Sequence, residues 1–97
     1  MTPRLTREAV ADLSRLYIDG FETFGSRQAD RYAEGLEATL GRIAAYPRMA
    51  CERPEFDPPL RLHPYGSHLI VYLISEDEDV LVIRILNARQ DWQAALS

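Results

Sequence analysis

The stretch that most limits what this chain can fold into is Leu69 to Leu86. It reads LIVYLI, SEDED and VLVIRIL: two apolar runs of strand length around five polar residues, four of them acidic. Val- and Ile-rich runs joined by a short polar segment signal a β-hairpin, here with a loop longer than a two-residue turn. Apolar side chains at almost every position imply that both faces of these strands are covered, since a half-exposed strand would alternate. Tyr72 and Arg84 break the pattern. A guanidinium among aliphatics has to reach water, an acid or a ligand, because a buried unpaired charge is costly.

Upstream, the apolar spacing changes to three and four residues. Pro3 to Leu5 is a short strand candidate, and Thr6 is placed to cap a helix with Glu8 in its first turn. Val10, Leu13, Leu16, Tyr17, Phe21 and Phe24 predict an amphipathic helix to about Phe24, weakened or bent at Gly20. Gly25 reads as its stop and Ser26 as the N-cap of a second helix. That helix carries Ala29, Tyr32, Ala33, Leu36, Leu40, Ile43 and Ala44 on one face and Arg27, Asp30, Arg31, Glu34 and Glu37 on the other. It ends at Tyr46-Pro47, because proline disfavours helical geometry in the residue before it. With so short a connection the helices fold back as an antiparallel hairpin.

Arg48 to Pro59 holds three of the six prolines and reads as a loop. Leu60 to His63 is a strand, Pro64-Tyr65-Gly66 its turn, and Ser67 onward the central strand. Ala88 to Ser97 is either a short helix or extended. Grouped helices and hairpin-linked strands predict an α+β fold in the order β-α-α-β-β-β, with the helical hairpin on one face of an antiparallel sheet. The tail with Trp92 is the nearest cover for the other face.

Ninety-seven residues make a single domain. A net charge of −4 and a pI near 5.1 argue against a protein that coats nucleic acid by charge alone, leaving room only for a small patch of arginines, and no direct DNA binding is expected. All 11 basic residues are arginine, which suits planar, hydrogen-bonded contacts and equally fits a GC-rich genome. The single Cys51 excludes an internal disulfide and lacks a positioned base. His63 and His68 lack a carboxylate at ligand spacing, and Glu76 to Asp79 lacks the glycine and spacing of a calcium loop, so no metal is expected. There is no glycine-rich phosphate loop and no implied cofactor. MTPRLT has no apolar leader core and no run reaches membrane-spanning length, so the expected location is the cytoplasm, with no membrane partner.

The residues left to carry chemistry are Arg53, Arg61, His68, Tyr72, Arg84, Arg89 and Asp91. Strand parity puts His68 and Tyr72 on one face of the central strand, which Arg84 approaches if the register allows. Arg, His and Tyr are the groups that grip a phosphodiester and move protons around it. The structural reading, which the residues by themselves favour, is a polar rim with Arg84 paired to an internal acid such as Asp91.

Taken together, LTREAVADL, GSRQADRYAEGLEATLGRIAAYP, the lone Arg53 after the proline stop, YGSHLIVYLI and VLVIRILNARQDW resemble ParE toxins of the ParE/RelE toxin–antitoxin superfamily. The resemblance covers nearly the whole chain, and its closing block is the most specific piece. It implies a helical hairpin on a curved antiparallel sheet. It also implies a ParD-like antitoxin with a ribbon-helix-helix DNA-binding domain, whose C-terminal segment wraps the toxin, and DNA gyrase as a target inhibited by binding, without catalysis. Target contact is then expected from Arg84, Asn87, Arg89, Gln90, Asp91 and Trp92. Antitoxin contact is expected from the exposed faces of the helical hairpin and from Arg53, Arg61, His68 and Tyr72. RelE-like relatives instead cut messenger RNA on the ribosome, for which Arg61, His68 and Arg84 are the candidate catalytic set. A third alternative is a degenerate toxin that keeps only antitoxin binding. The acidic, lysine-free composition and a tail without tyrosine favour the gyrase branch. Asn87 stands where ParE-like tails commonly place histidine.

Overall fold

In the computed structural model, which describes residues 3–96, Thr6 opens the first helix as its sequence predicts. Its hydroxyl accepts a hydrogen bond from the Ala9 amide at 3.1 Å, and α1 then runs over Arg7–Phe24 without a break at Gly20. Gly25, with φ +88°, stops α1 by donating its N–H to the Phe21 carbonyl and accepts from the Ala29 amide of the next helix. That left-handed backbone is what favours glycine there. The cap of α2 (Ser26–Ala45) is therefore Gly25 and not Ser26, which is already the first helical residue and makes no side-chain cap bond. One residue serves both helices, so the reversal is tighter than the sequence implies. Pro47 ends α2 as expected.

The sheet has five strands: β1 (Arg4–Leu5), β2 (Glu52–Arg53), β3 (Leu60–Tyr65), β4 (His68–Ile74) and β5 (Val80–Asn87), in the order β1-β5-β4-β3-β2. β4 is central, as expected. Three corrections apply to the strand reading. β1 joins β5 in parallel, so the sheet is mixed at that edge. The Arg48–Pro59 segment is not structureless: Pro47–Met49 forms a 3-10 turn, and β2 pairs with Leu60 and Arg61. A two-residue strand bounded by Pro54 carries too little pattern to be read from sequence. β3 also extends to Tyr65, leaving Gly66 (φ +54°) and Ser67 as the turn.

Two apolar layers flank the sheet. On the helical side, Ile70, Tyr72, Val80, Val82 and Ile85 pack against Ala9, Leu36, Leu40 and Ile43. On the other side, Leu60, Val71 and Leu86 are covered by Phe56, Trp92 and Leu96, the last two on and beside the short α3 (Trp92–Ala95). The tail thus covers the second face, and Asp91 starts α3 by accepting from the Ala94 amide.

A β-bulge sets the course of the second half of β5. Val71 pairs with Arg84 but Tyr72 pairs with Val82, leaving Ile83 as the extra residue. Unbroken alternation would send Arg84 after Val80 and Val82 into the helix-facing core. The bulge resets the phase so that Ile85 fills that layer and Arg84 is delivered to the sheet edge beside α1.

Candidate functional site

Asp12 on α1 receives Arg84. Its carboxylate accepts from Nε at 2.8 Å and Nη2 at 3.1 Å, and also from the Ile85 amide at 3.0 Å. The fork-on-carboxylate geometry raises the Arg84 pKa above its ordinary value, chiefly through the hydrogen bond to Asp12, with burial opposing. Asp12, not Asp91, is thus the acid that pairs with Arg84. Sequence separation hid it, but Glu8, Asp12, Arg15 and Asp19 follow four-, three- and four-residue steps, a polar stripe beside the apolar face that could have been read as a site wall.

Across the cleft stands His68. Its Nδ1 lies 2.8 Å from the Tyr32 hydroxyl, which also donates to the Tyr65 carbonyl (3.1 Å) and accepts from the Ser67 amide (3.2 Å). Burial lowers the His68 pKa below the ordinary 6.5, with Asp19 working the other way. Tyr65 answers Tyr32 by donating its hydroxyl to the Tyr32 carbonyl at 3.0 Å, and the two rings meet edge to face at 4.9 Å. The β3–β4 turn is thereby locked to α2, and His68 is held on the wall of the cleft.

Of the residues singled out in the sequence, His68, Arg84, Asn87 and Gln90 line this one cleft together with Glu8, Asp12, Arg15 and Asp19. Arg61 does not join them. It donates to the Ala50 carbonyl at 2.6 Å and lies 3.9 Å from Glu52, bracing the β2 edge. Arg53 pairs with Glu55 at 2.7 Å and stands over the Trp92 ring at 5.8 Å, on the tail side. Tyr72 is fully buried and donates to the Pro47 carbonyl at 2.8 Å, so it supports the fold from within and offers no surface to a partner. Arg89 and Gln90 are exposed, while Asn87 accepts from the Arg89 amide through its side chain.

The second feature of the surface is apolar. Val10, Ile18, Phe21 and Phe24 on α1 are each half or more exposed, and with Tyr17 they form a stripe alongside α2. A groove between the helices, lined by Leu13, Tyr17, Ala33 and Leu40, runs beside it. Exposed large apolar side chains gathered on one helix face mark a protein-contact surface, where scattered ones would not.

The model of the family described as "ParE toxin of type II toxin-antitoxin system, parDE" matches residues 4–92. The chain belongs to the ParE toxin family. Among ParE relatives, toxin ParE3 of Caulobacter vibrioides is 31% identical over 91 residues, covering 94% of this chain and 90% of the relative. Toxin ParE1 of Mycobacterium tuberculosis is 30% identical over 87 residues, covering 90% and 89%. Toxin ParE of Escherichia coli is 32% identical over 93 residues, covering 96% and 90%. A solved chain titled "Chromosomal ParDE TA system from P. aeruginosa" superposes with a TM-score of 0.76 over 92% of this chain and 97% of its own. At 18% identity that likeness carries the fold. In this ParE-family chain, then, α1 presents both a cleft with a fixed Arg84–Asp12 pair and, on another face, a stripe of exposed apolar side chains.

Proposed function

We propose that this chain is the toxin of a type II pair that inhibits DNA gyrase by direct binding, without catalysis of its own, and is neutralised by a ParD-like antitoxin. The observation that carries the reading is the family match over residues 4–92. The exposed α1 stripe supports an antitoxin partner, because an amphipathic segment laid over Val10, Ile18, Phe21 and Phe24 would cover apolar surface otherwise left in water. The binding-only mode is supported by where the candidate nuclease residues lie. Arg61 is engaged at the β2 edge while His68 and Arg84 face the α1 cleft, and Arg84 is already paired with a carboxylate. The reading places the protein in the cytoplasm with its target; among the described residues no helix is long and apolar enough to cross a membrane.

For target contact the tail residues divide by burial. Arg89 and Gln90 are exposed, whereas Trp92 packs over the second face of the sheet. The test is a supercoiling assay with purified gyrase. Native protein should abolish supercoiling or trap cleaved DNA, and a variant with Arg89→Ala and Gln90→Ala should lose at least tenfold in potency while remaining folded. Intact supercoiling at large excess of folded native protein, accompanied by cleaved transcripts after induction, would replace gyrase with the ribosome as the target.

A further inference from the structure

α1 carries two apolar stripes, and the fold uses one of them. Ala9, Leu13 and Leu16 pack into the core, whereas Val10, Ser14, Tyr17, Phe21 and Phe24 follow four- and three-residue steps along the outer side. That alternation is the repeat of a seam between paired helices. Val10 and Phe21 on the seam are 50% exposed and Phe24 62%, and Ile18 beside it is 53% exposed. Part of the seam is already in place, because Tyr17 donates its hydroxyl to Asp30 of α2 and its ring lies 6.5 Å from that of Phe21. Ordering side chains on association is costly, so rings held in the free protein favour a contact. On the flank turned away from α2, Arg15 and Glu22 are both exposed and stand one heptad apart.

We propose that the free chain self-associates through this stripe, the occupant being α1 of a second copy laid antiparallel about a two-fold axis near Ile18. A two-fold contact requires a surface that complements itself, and α1 meets that requirement in size and in charge. With the axis there, the small Ser14 of one copy falls between the Phe21 and Phe24 rings of the other, and Ile18 meets its own counterpart. Arg15 then faces Glu22 of the second copy, and the symmetry makes that pair twice. A parallel arrangement would put the two charges on opposite flanks and lose both pairs. Six side chains per copy are well below the roughly 20–30 residues a side of a standard interface, so the dimer is weak and depends on concentration. The inference goes beyond the antitoxin reading and sets a competition for one helix face: an antitoxin segment over Val10, Ile18, Phe21 and Phe24 excludes the second copy.

Sedimentation of the full chain, from low micromolar to millimolar concentration, should show a monomer–dimer equilibrium. Phe21→Ser should weaken it at least tenfold while keeping the fold, since half of that side chain is already in water. Arg15→Glu and Glu22→Arg should each weaken it, and the chain carrying both should recover most of the native affinity, a rescue that a damaged fold would not give. In a Cys51→Ser background, Ile18→Cys should cross-link to its own copy on mild oxidation. Val10→Cys, about 25 Å from its counterpart across the axis, should not. A folded native chain that stays monomeric at millimolar concentration would overturn the proposal. So would a dimer indifferent to Phe21→Ser and to the charge exchange. A ribbon-helix-helix antitoxin that dissolves the dimer as it binds would support the competition, whereas one that binds and leaves the dimer intact would overturn it. Failure of any such antitoxin to bind the native chain would overturn the antitoxin reading and leave the dimer standing.

Discussion

Asp12 holds three hydrogen-bond donors with one carboxylate, and its position explains why Arg84 is tolerated in an aliphatic strand. Removing it strips the partners from the guanidinium and from the Ile85 amide at once. Asp12→Ala should therefore destabilise the protein by about 2–4 kcal/mol in urea unfolding, on the scale of a partly buried charged network. His68 gives a pH signature. Burial lowers its folded pKa, so below pH 6.5 the unfolded chain takes up the proton first. Stability should be flat above that value, fall as pH drops through it, and level off below the folded pKa. His68→Gln should remove that segment of the Tm–pH curve, and an unchanged curve would show that another group titrates there. Gly20 and Gly35 should respond in opposite directions. Gly20→Ala should add up to about 1 kcal/mol through helix propensity, whereas Gly35→Ala should cost about 1–3 kcal/mol by displacing Tyr65.

At the scale of elements, the tail combines two jobs that its sequence does not separate. Trp92 and Leu96 close the second apolar layer over Leu60, Val71 and Leu86, and Arg53 stacks on Trp92 from β2. Trp92→Ala should expose this layer, costing about 2–3 kcal/mol and increasing binding of a hydrophobic dye, while Arg89→Ala should leave unfolding within about 0.5 kcal/mol of native. Loss of activity on truncating residues 91–97 would therefore report the fold as much as the target contact. The β5 edge shows the complementary device. β1 pairs only with Leu81 and Val82; beyond it the Thr6 hydroxyl donates to the Ile83 carbonyl at 2.6 Å and Asp12 accepts from Ile85. Side chains from the start of α1 thus occupy backbone groups that an open edge would offer to another strand.

For the whole molecule, the α+β architecture, the helix ends at Gly25 and Pro47, the central β4 and the covering tail were legible because each follows from local chemistry. Periodicity sets helix or strand, capping and proline geometry set the ends, and unbroken apolar runs require cover on both faces. The sequence by itself also determined the family, since the resemblance runs through ordered blocks along nearly the whole chain and the family match spans residues 4–92. What only the tertiary structure decided is which distant groups meet. One extra residue at Ile83 shifts the phase of β5, turning Arg84 toward Asp12, 72 positions away in the chain, and the same packing keeps Arg61 with Ala50 and buries Tyr72. A bulge leaves almost no mark on hydrophobic pattern, because the strand is apolar on both faces. The partner of a charge is chosen by that register and by the side of α1 that faces the sheet edge.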